Sequence, residues 1–190
     1  MSSCHLGEFL CQNPEYPDFD EIAKKELAAP PLVHEIINLS VFCTGLPLED
    51  ENILGNLTHQ IFLKGLSTKN GIYHLWVDFE NCTDHDTHTM KCIYVGKGIA
   101  ESRINDHVIK KGLKNNGVSI YASFYECSNR ISKYLEQLFL DTYKFSLNKY
   151  ENPGTKELFA VWDEERYAMG TEANAVSALS NIHSVEDILK

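Results

Sequence analysis

The 190-residue chain lacks several features that would settle its class at once. No apolar run approaches the roughly 18 residues a membrane-spanning helix needs, so no membrane partner is expected. Its six cysteines (Cys4, Cys11, Cys43, Cys82, Cys92, Cys127) include no C-x-x-C pair, and no charged-then-apolar leader opens the chain. Neither secretion nor a disulfide framework is indicated, which makes an intracellular compartment, nuclear or cytoplasmic, the expectation. Internal repeats and low-complexity tracts are missing too. Positive charge is scarce, with 17 Lys and Arg against 27 Asp and Glu, and a formal net charge of −10 argues against indiscriminate binding of a polyanion.

What is present is a 43% hydrophobic composition, enough for a sizeable core, and an uneven spread of charge. Residues 1–70 carry four basic and ten acidic side chains and residues 151–190 three and eight, whereas residues 71–150 carry ten and nine. Between Lys91 and Lys114 the balance reverses: Lys91, Lys97, Arg103, Lys110, Lys111 and Lys114 face only Glu101 and Asp106. A nucleic-acid partner would bind there, and the acidic flanks offer a surface for a protein partner.

Turn signals crowd residues 1–35, which predicts a loosely structured arm with one short helix around Asp20 to Ala28. The Leu48-Glu49-Asp50-Glu51 segment reads as the acidic start of a helix carrying Ile53, Leu54, Leu57, Ile61 and Phe62 at core spacing. At Gly71 the pattern changes. The aromatic and β-branched runs 72–77 and 92–95 predict paired strands, joined by a polar loop from Glu80 to Thr89. Residues 100–114 look helical, with Arg103 and His107 four apart on one face, and Asn115-Asn116-Gly117 stops them. Val118, Ile120, Ala122 and Phe124 alternate with polar and tyrosine positions as a third strand. Ser128 or Asn129 then caps an amphipathic helix bearing Ile131, Tyr134, Leu135, Leu138, Phe139 and Thr142. After Asn152-Pro153-Gly154, helix is expected over 157–167 and 172–179.

The predicted fold class is therefore α+β: a small three-stranded antiparallel sheet in β-β-α-β-α order over residues 70–153. An N-terminal arm and helical extension (1–69) and an acidic, mainly helical C-terminal extension (154–190) flank it.

Gly71-Ile72-Tyr73 followed by Tyr94-Val95-Gly96 resembles the paired signature of the GIY-YIG nuclease superfamily. Downstream, Lys97-Gly98, Arg103, His107, Glu136 and Asn148 fall in matching order. The Tyr-Val-Gly-Lys-Gly form is most similar to the branch that includes the animal LEM-domain nucleases. The resemblance covers less than half the chain. It implies a GIY-YIG fold and a metal-dependent endonuclease that hydrolyses phosphodiester bonds, DNA ahead of RNA. By the same resemblance, Glu136 would ligate one Mg²⁺ or Mn²⁺, a cation that needs few protein carboxylates. Arg103 would meet the phosphate oxygens. Tyr73 would orient or deprotonate the attacking water, with Lys97 lowering its pKa. Tyr94 and His107 would position water or move protons, and Asn148 would hold local geometry. Lys97, Arg103, Lys110, Lys111 and Lys114 would contact nucleic acid.

Taken singly, these residues have ordinary explanations. Tyrosines in strands mostly pack, Arg103 and His107 make an exposed helix pair, and Asn148 is a loop residue. Glu136 lies off the apolar stripe at about 100° per residue, as a solvated glutamate would. Their joint occurrence in order is what carries weight.

Tyr73 and Tyr94 are separated by more residues than on the family's usual short hairpin, so the polar loop reads as an insertion. It contains Cys82, Asp84, His85, Asp86 and His88, with Cys92 near its end, residue types that could bind zinc, but their spacing fits no standard zinc pattern. A catalytically silent nucleic-acid-binding or protein-interaction module is the competing reading. A third is an active domain covered by its own acidic termini.

Overall fold

The computed structural model describes residues 4, 11, 14–38, 41–43, 66–110 and 120–169, without the side chains of residues 38, 41–43, 105, 107–110 and 168–169. The elements in chain order are α1 (Pro17–Glu26), α2 (Val33–Asn38), β1 (Val41–Cys43), β2 (Asn70–Cys82), β3 (Thr87–Ile99), α3 (Ala100–Lys110), β4 (Ile120–Glu126), α4 (Asn129–Thr142), β5 (Phe159–Asp163) and α5 (Glu164–Met169). The class is α+β, as the sequence predicts. Among the described residues the sheet has five strands rather than three, all antiparallel, in the order β1-β4-β2-β3-β5.

The three expected strands form the centre of this sheet, and each edge strand comes from a flank. β1 pairs with β4 through Val41↔Phe124 to Cys43↔Ala122, and β5 pairs with β3 through Thr87↔Asp163 to Lys91↔Phe159. Helix was expected over 157–167, because Glu157 and Asp163-Glu164-Glu165 look like helix-forming, solvated positions. Instead Ala160 and Trp162 alternate into the core as a strand, and helix begins only at Glu164. Sheet pairing and burial of the indole outweigh local propensity here.

The β2–β3 hairpin departs most from expectation. Pairing continues to Cys82↔Thr87, leaving only four residues in the turn, with Asp86 at φ 49. Most of the predicted 80–89 loop is therefore strand. Thr89 and Met90 are fully buried, because β5 covers the outer side of β3 where a two-stranded ribbon would be solvated. Two register shifts, between Leu75 and Trp76 and between Asp78 and Glu80, leave Ile93 and Phe79 without a cross-strand partner.

Alternation on β2 divides the core. Ile72 and Trp76 face a large cluster with Phe19 and Ala23 of α1, Val33, Ile36 and Ile37 of α2, Leu135, Leu138 and Phe139 of α4, and Trp162 of β5. Tyr73 and Leu75 face a second cluster with Ala100 and Ile104 of α3 and with Ala122 and Phe124 of β4. The N-terminal arm is thus more than a loose lead-in over its described part. Phe19 packs on Phe139 with ring centroids 4.4 Å apart, and the Tyr16 hydroxyl donates to the Phe159 carbonyl at 2.7 Å. The helix expected from Leu48 to Phe62 and that over 172–179 lie outside the described residues. No described helix is long and apolar enough to cross a membrane.

Candidate active site

In the hairpin register Gly71 pairs with Gly98, Ile72 with Lys97, Tyr73 with Gly96 and Leu75 with Tyr94. The two tripeptides therefore lie side by side, and Tyr94 sits diagonally across from Tyr73 on the same face. Their ring centroids are 5.9 Å apart at 30°, and the two hydroxyls are hydrogen-bonded to each other.

Glycine is required beneath this pair. A Cβ on Gly96 would lie 2.5 Å from the Tyr73 hydroxyl oxygen and 2.8 Å from Tyr94 Cε1. One at Gly71 would lie 2.1 Å from the Tyr125 carbonyl oxygen, so that glycine lets β4 approach β2. Gly98, at φ +110, turns the chain from β3 into α3 with a backbone that side-chain-bearing residues rarely adopt.

Two helices bring charge to the phenols. Arg103 projects from α3 and is exposed. Glu136 sits on α4 beside the buried Leu135, Leu138 and Phe139, with its own side chain 17% exposed, and it pairs with Lys97 of β3. Ser128 caps that helix by accepting from the Ile131 amide at 3.3 Å. Burial pushes the Tyr73 phenol well above its ordinary range; the neighbouring Tyr94 and Glu136 add to this, and Arg103 opposes it. Tyr94 is also raised, first by burial. The Lys97 ammonium, expected to lower Tyr73, is paired with Glu136. Tyr73 accordingly keeps its proton near neutral pH.

Asn148 reaches the site from the loop after α4. Its Oδ1 accepts from the Val95 amide at 3.1 Å and its Nδ2 donates to the Val95 carbonyl at 2.9 Å, clamping the backbone between Tyr94 and Gly96. Asn152, which the sequence suggested only as part of a stop, secures that loop by donating to the carbonyls of Phe145 at 2.8 Å and Asn148 at 3.2 Å. The Leu147 amide also donates to the Ile93 carbonyl at 2.9 Å.

The structure thus brings together Tyr73, Tyr94, Lys97, Arg103, Glu136 and, through backbone, Asn148. His107 and Lys110 fall on α3 but their side chains lie outside the described set, and Lys111 and Lys114 are outside the described residues altogether. Glu136 contributes a lone carboxylate: the described residues hold no convergent group of metal-binding side chains around it. A single carboxylate suits a cation that keeps most of its own waters, as Mg²⁺ does. Comparison of the chain with family models, with curated proteins and with solved structures gives no match.

Proposed function

We propose that the protein is a metal-dependent endonuclease of the GIY-YIG type, cutting nucleic-acid phosphodiester bonds at the cluster of Tyr73, Tyr94, Arg103 and Glu136. The observation that supports this most is the convergence of those four side chains, from two strands and two helices, with Gly96 leaving room for the tyrosine pair. In the reaction a water oxygen bonds to phosphorus, the bond to one bridging ester oxygen breaks, and that oxygen takes a proton. Arg103, exposed beside the phenols, would bind the non-bridging oxygens as their charge grows. Tyr73 and Tyr94, protonated and hydrogen-bonded to each other, are suited to orienting the water rather than deprotonating it. His107, on α3, would serve in proton transfer, a role open to imidazole. A divalent cation held at Glu136 would neutralise phosphate charge and polarise the water. Lys97 would release Glu136 to that cation and turn towards the phosphate, a move its flexible stem permits.

One observation favours a second reading. Lys97 already satisfies the Glu136 carboxylate, so the same cluster could be a catalytically silent nucleic-acid-binding module with an internal ion pair where the metal would sit. Branched, duplex and single-stranded DNA and structured RNA, each labelled and incubated with Mg²⁺ or Mn²⁺, separate the two. The nuclease reading predicts metal-dependent cutting of at least one substrate, lowered on the order of 10²–10³-fold by Arg103→Ala. Binding without cutting by folded protein would favour the silent module. Undiminished cutting by Arg103→Ala would remove this site from the mechanism.

Coverage of the basic run by the acidic flanks is a third reading. The described flanking segments are sheet and core, and their charges are partly paired, Asp18 with Lys156 and Glu157 with Lys91. A fragment trimmed to about 65–155 would lose α1, β1 and β5 and expose Trp76 and Phe139, so it cannot test inhibition by the termini.

A further inference from the structure

At the opposite end of the β2–β3 hairpin, four metal-binding side chains from three parts of the chain meet. Cys82 ends β2 and His85 lies in the turn, a Cys-x-x-His spacing. Cys4 and Cys11 come from the N-terminal arm. The Cys4 Sγ is 3.2 Å from Cys82 Sγ and 3.2 Å from Cys11 Sγ, while His85 Nδ1 is 3.4 Å from both Cys11 Sγ and Cys82 Sγ. All four ligand atoms lie within 4.8 Å of one another, with Cys11 and Cys82 buried and the other two half-buried. Two other candidate ligands of the hairpin, His88 and Cys92, are used elsewhere. His88 stacks on Tyr167 at 3.5 Å and bonds Glu164 Oε2 at 2.9 Å, and the buried Cys92 thiol donates to the Tyr94 carbonyl.

We propose that Cys4, Cys11, Cys82 and His85 form a structural zinc site of the Cys3His type, which staples the N-terminal arm to the hairpin tip. Ligand chemistry, count and spacing all agree with this. A tetrahedral ion with Zn–S bonds of about 2.3 Å places its ligand atoms about 3.8 Å apart, so four atoms mutually within 4.8 Å fit one ion. The sulfurs are too far apart for a disulfide, whose S–S length is about 2.05 Å. Three thiols and an imidazole with a closed set of four ligands and no open position match a structural rather than a catalytic zinc. The soft sulfur-rich set selects against Mg²⁺ and Ca²⁺. Binding converts thiols to thiolates and releases their protons to solvent, and the dication offsets the charge so formed. The extended hairpin then has a purpose: it carries Cys82 and His85 out to the arm.

The test uses the full chain, purified without chelators. Elemental analysis is expected to give one zinc per chain, falling to background in Cys82→Ser combined with His85→Ala and remaining at one in Cys127→Ser, which removes a thiol outside the cluster. Replacing zinc by cobalt is expected to give the intense visible bands and sulfur-to-metal charge transfer of a tetrahedral thiolate site. Should the double variant fail to fold, wild-type metal content and the cobalt spectrum still decide. Folded wild-type protein that holds no zinc after incubation with it, shows octahedral cobalt, or carries a Cys4–Cys82 disulfide would overturn the proposal. The readouts are independent of nuclease activity, so failure of either assignment leaves the other standing.

Discussion

The two ends of one hairpin carry different chemical groups. Tyr73 and Cys82 lie nine positions apart on β2, roughly 30 Å at about 3.3 Å per residue. At the first end Gly96 lies against two phenols that approach each other under charged groups from α3 and α4. At the second the backbone is an ordinary tight turn, and the chemistry lies in sulfur and imidazole contributed partly by residues 4 and 11. The first end is shaped by steric exclusion and by hydrogen bonds, including the Asn148 clamp. The second would be shaped by a metal, whose binding energy is also folding energy. A long hairpin thus separates the proposed reactive site from the proposed structural one, and damage to one end should leave the other measurable.

The largest expected effect comes from Gly96→Ala. The added methyl meets the Tyr73 hydroxyl and the Tyr94 ring, so cleavage should fall on the order of 10²–10³-fold as the phenols are displaced, with about 1–3 kcal/mol of overpacking cost. Zinc content should remain unchanged. Simultaneous loss of both would mean that the two ends are coupled. Next, Asn148→Ala strips the Val95 amide and carbonyl of their side-chain partner, and urea titration should show a loss of about 1–3 kcal/mol. A variant as stable as wild type would show that water replaces the clamp.

Acid titration sharpens the comparison from the middle of the hairpin. His74 is fully buried between Trp76 and Phe139, neither ring nitrogen has a hydrogen-bond partner among the described residues, and burial depresses its pKa from 6.5 to about 3. The unfolded chain binds this proton first. Its contribution to stability is therefore complete above about pH 6.5 and declines by about 1.4 kcal/mol per unit as pH falls towards 3. His74→Phe should flatten that part of the stability–pH curve; an unaltered slope would assign acid sensitivity to carboxylates instead. Smallest, Ser128→Ala removes the α4 cap and should cost about 1 kcal/mol without moving Glu136 enough to change the metal requirement.

Much of the first end was legible in the sequence, because its information is local. Gly71-Ile72-Tyr73 and Tyr94-Val95-Gly96 mark two strands, the alternation of 120–124 marks a third, and Leu135, Leu138 and Phe139 show which side of α4 is core and thus where Glu136 stands. What was not legible depends on distant partners. Thr87, His88 and Thr89 look like loop until β5 covers them, and Phe159–Asp163 looks helical until Trp162 finds Trp76, with ring centroids 5.7 Å apart. Cys4 and Cys82 are 78 positions apart and carry no joint signature; only the residue types of the hairpin loop hinted at a metal. The pairing of Lys97 with Glu136 was not legible for the same reason, since Glu136 arrives from another element 39 positions away.

The central claim is that the phenol cluster cuts phosphodiester bonds with a cation at Glu136. Its most direct test is single-turnover cleavage by the full chain and by Glu136→Ala across a Mg²⁺ or Mn²⁺ titration. The account predicts saturable, metal-dependent cutting by wild type and none by folded Glu136→Ala. Cutting by the variant at the wild-type rate and with the same metal dependence would contradict it.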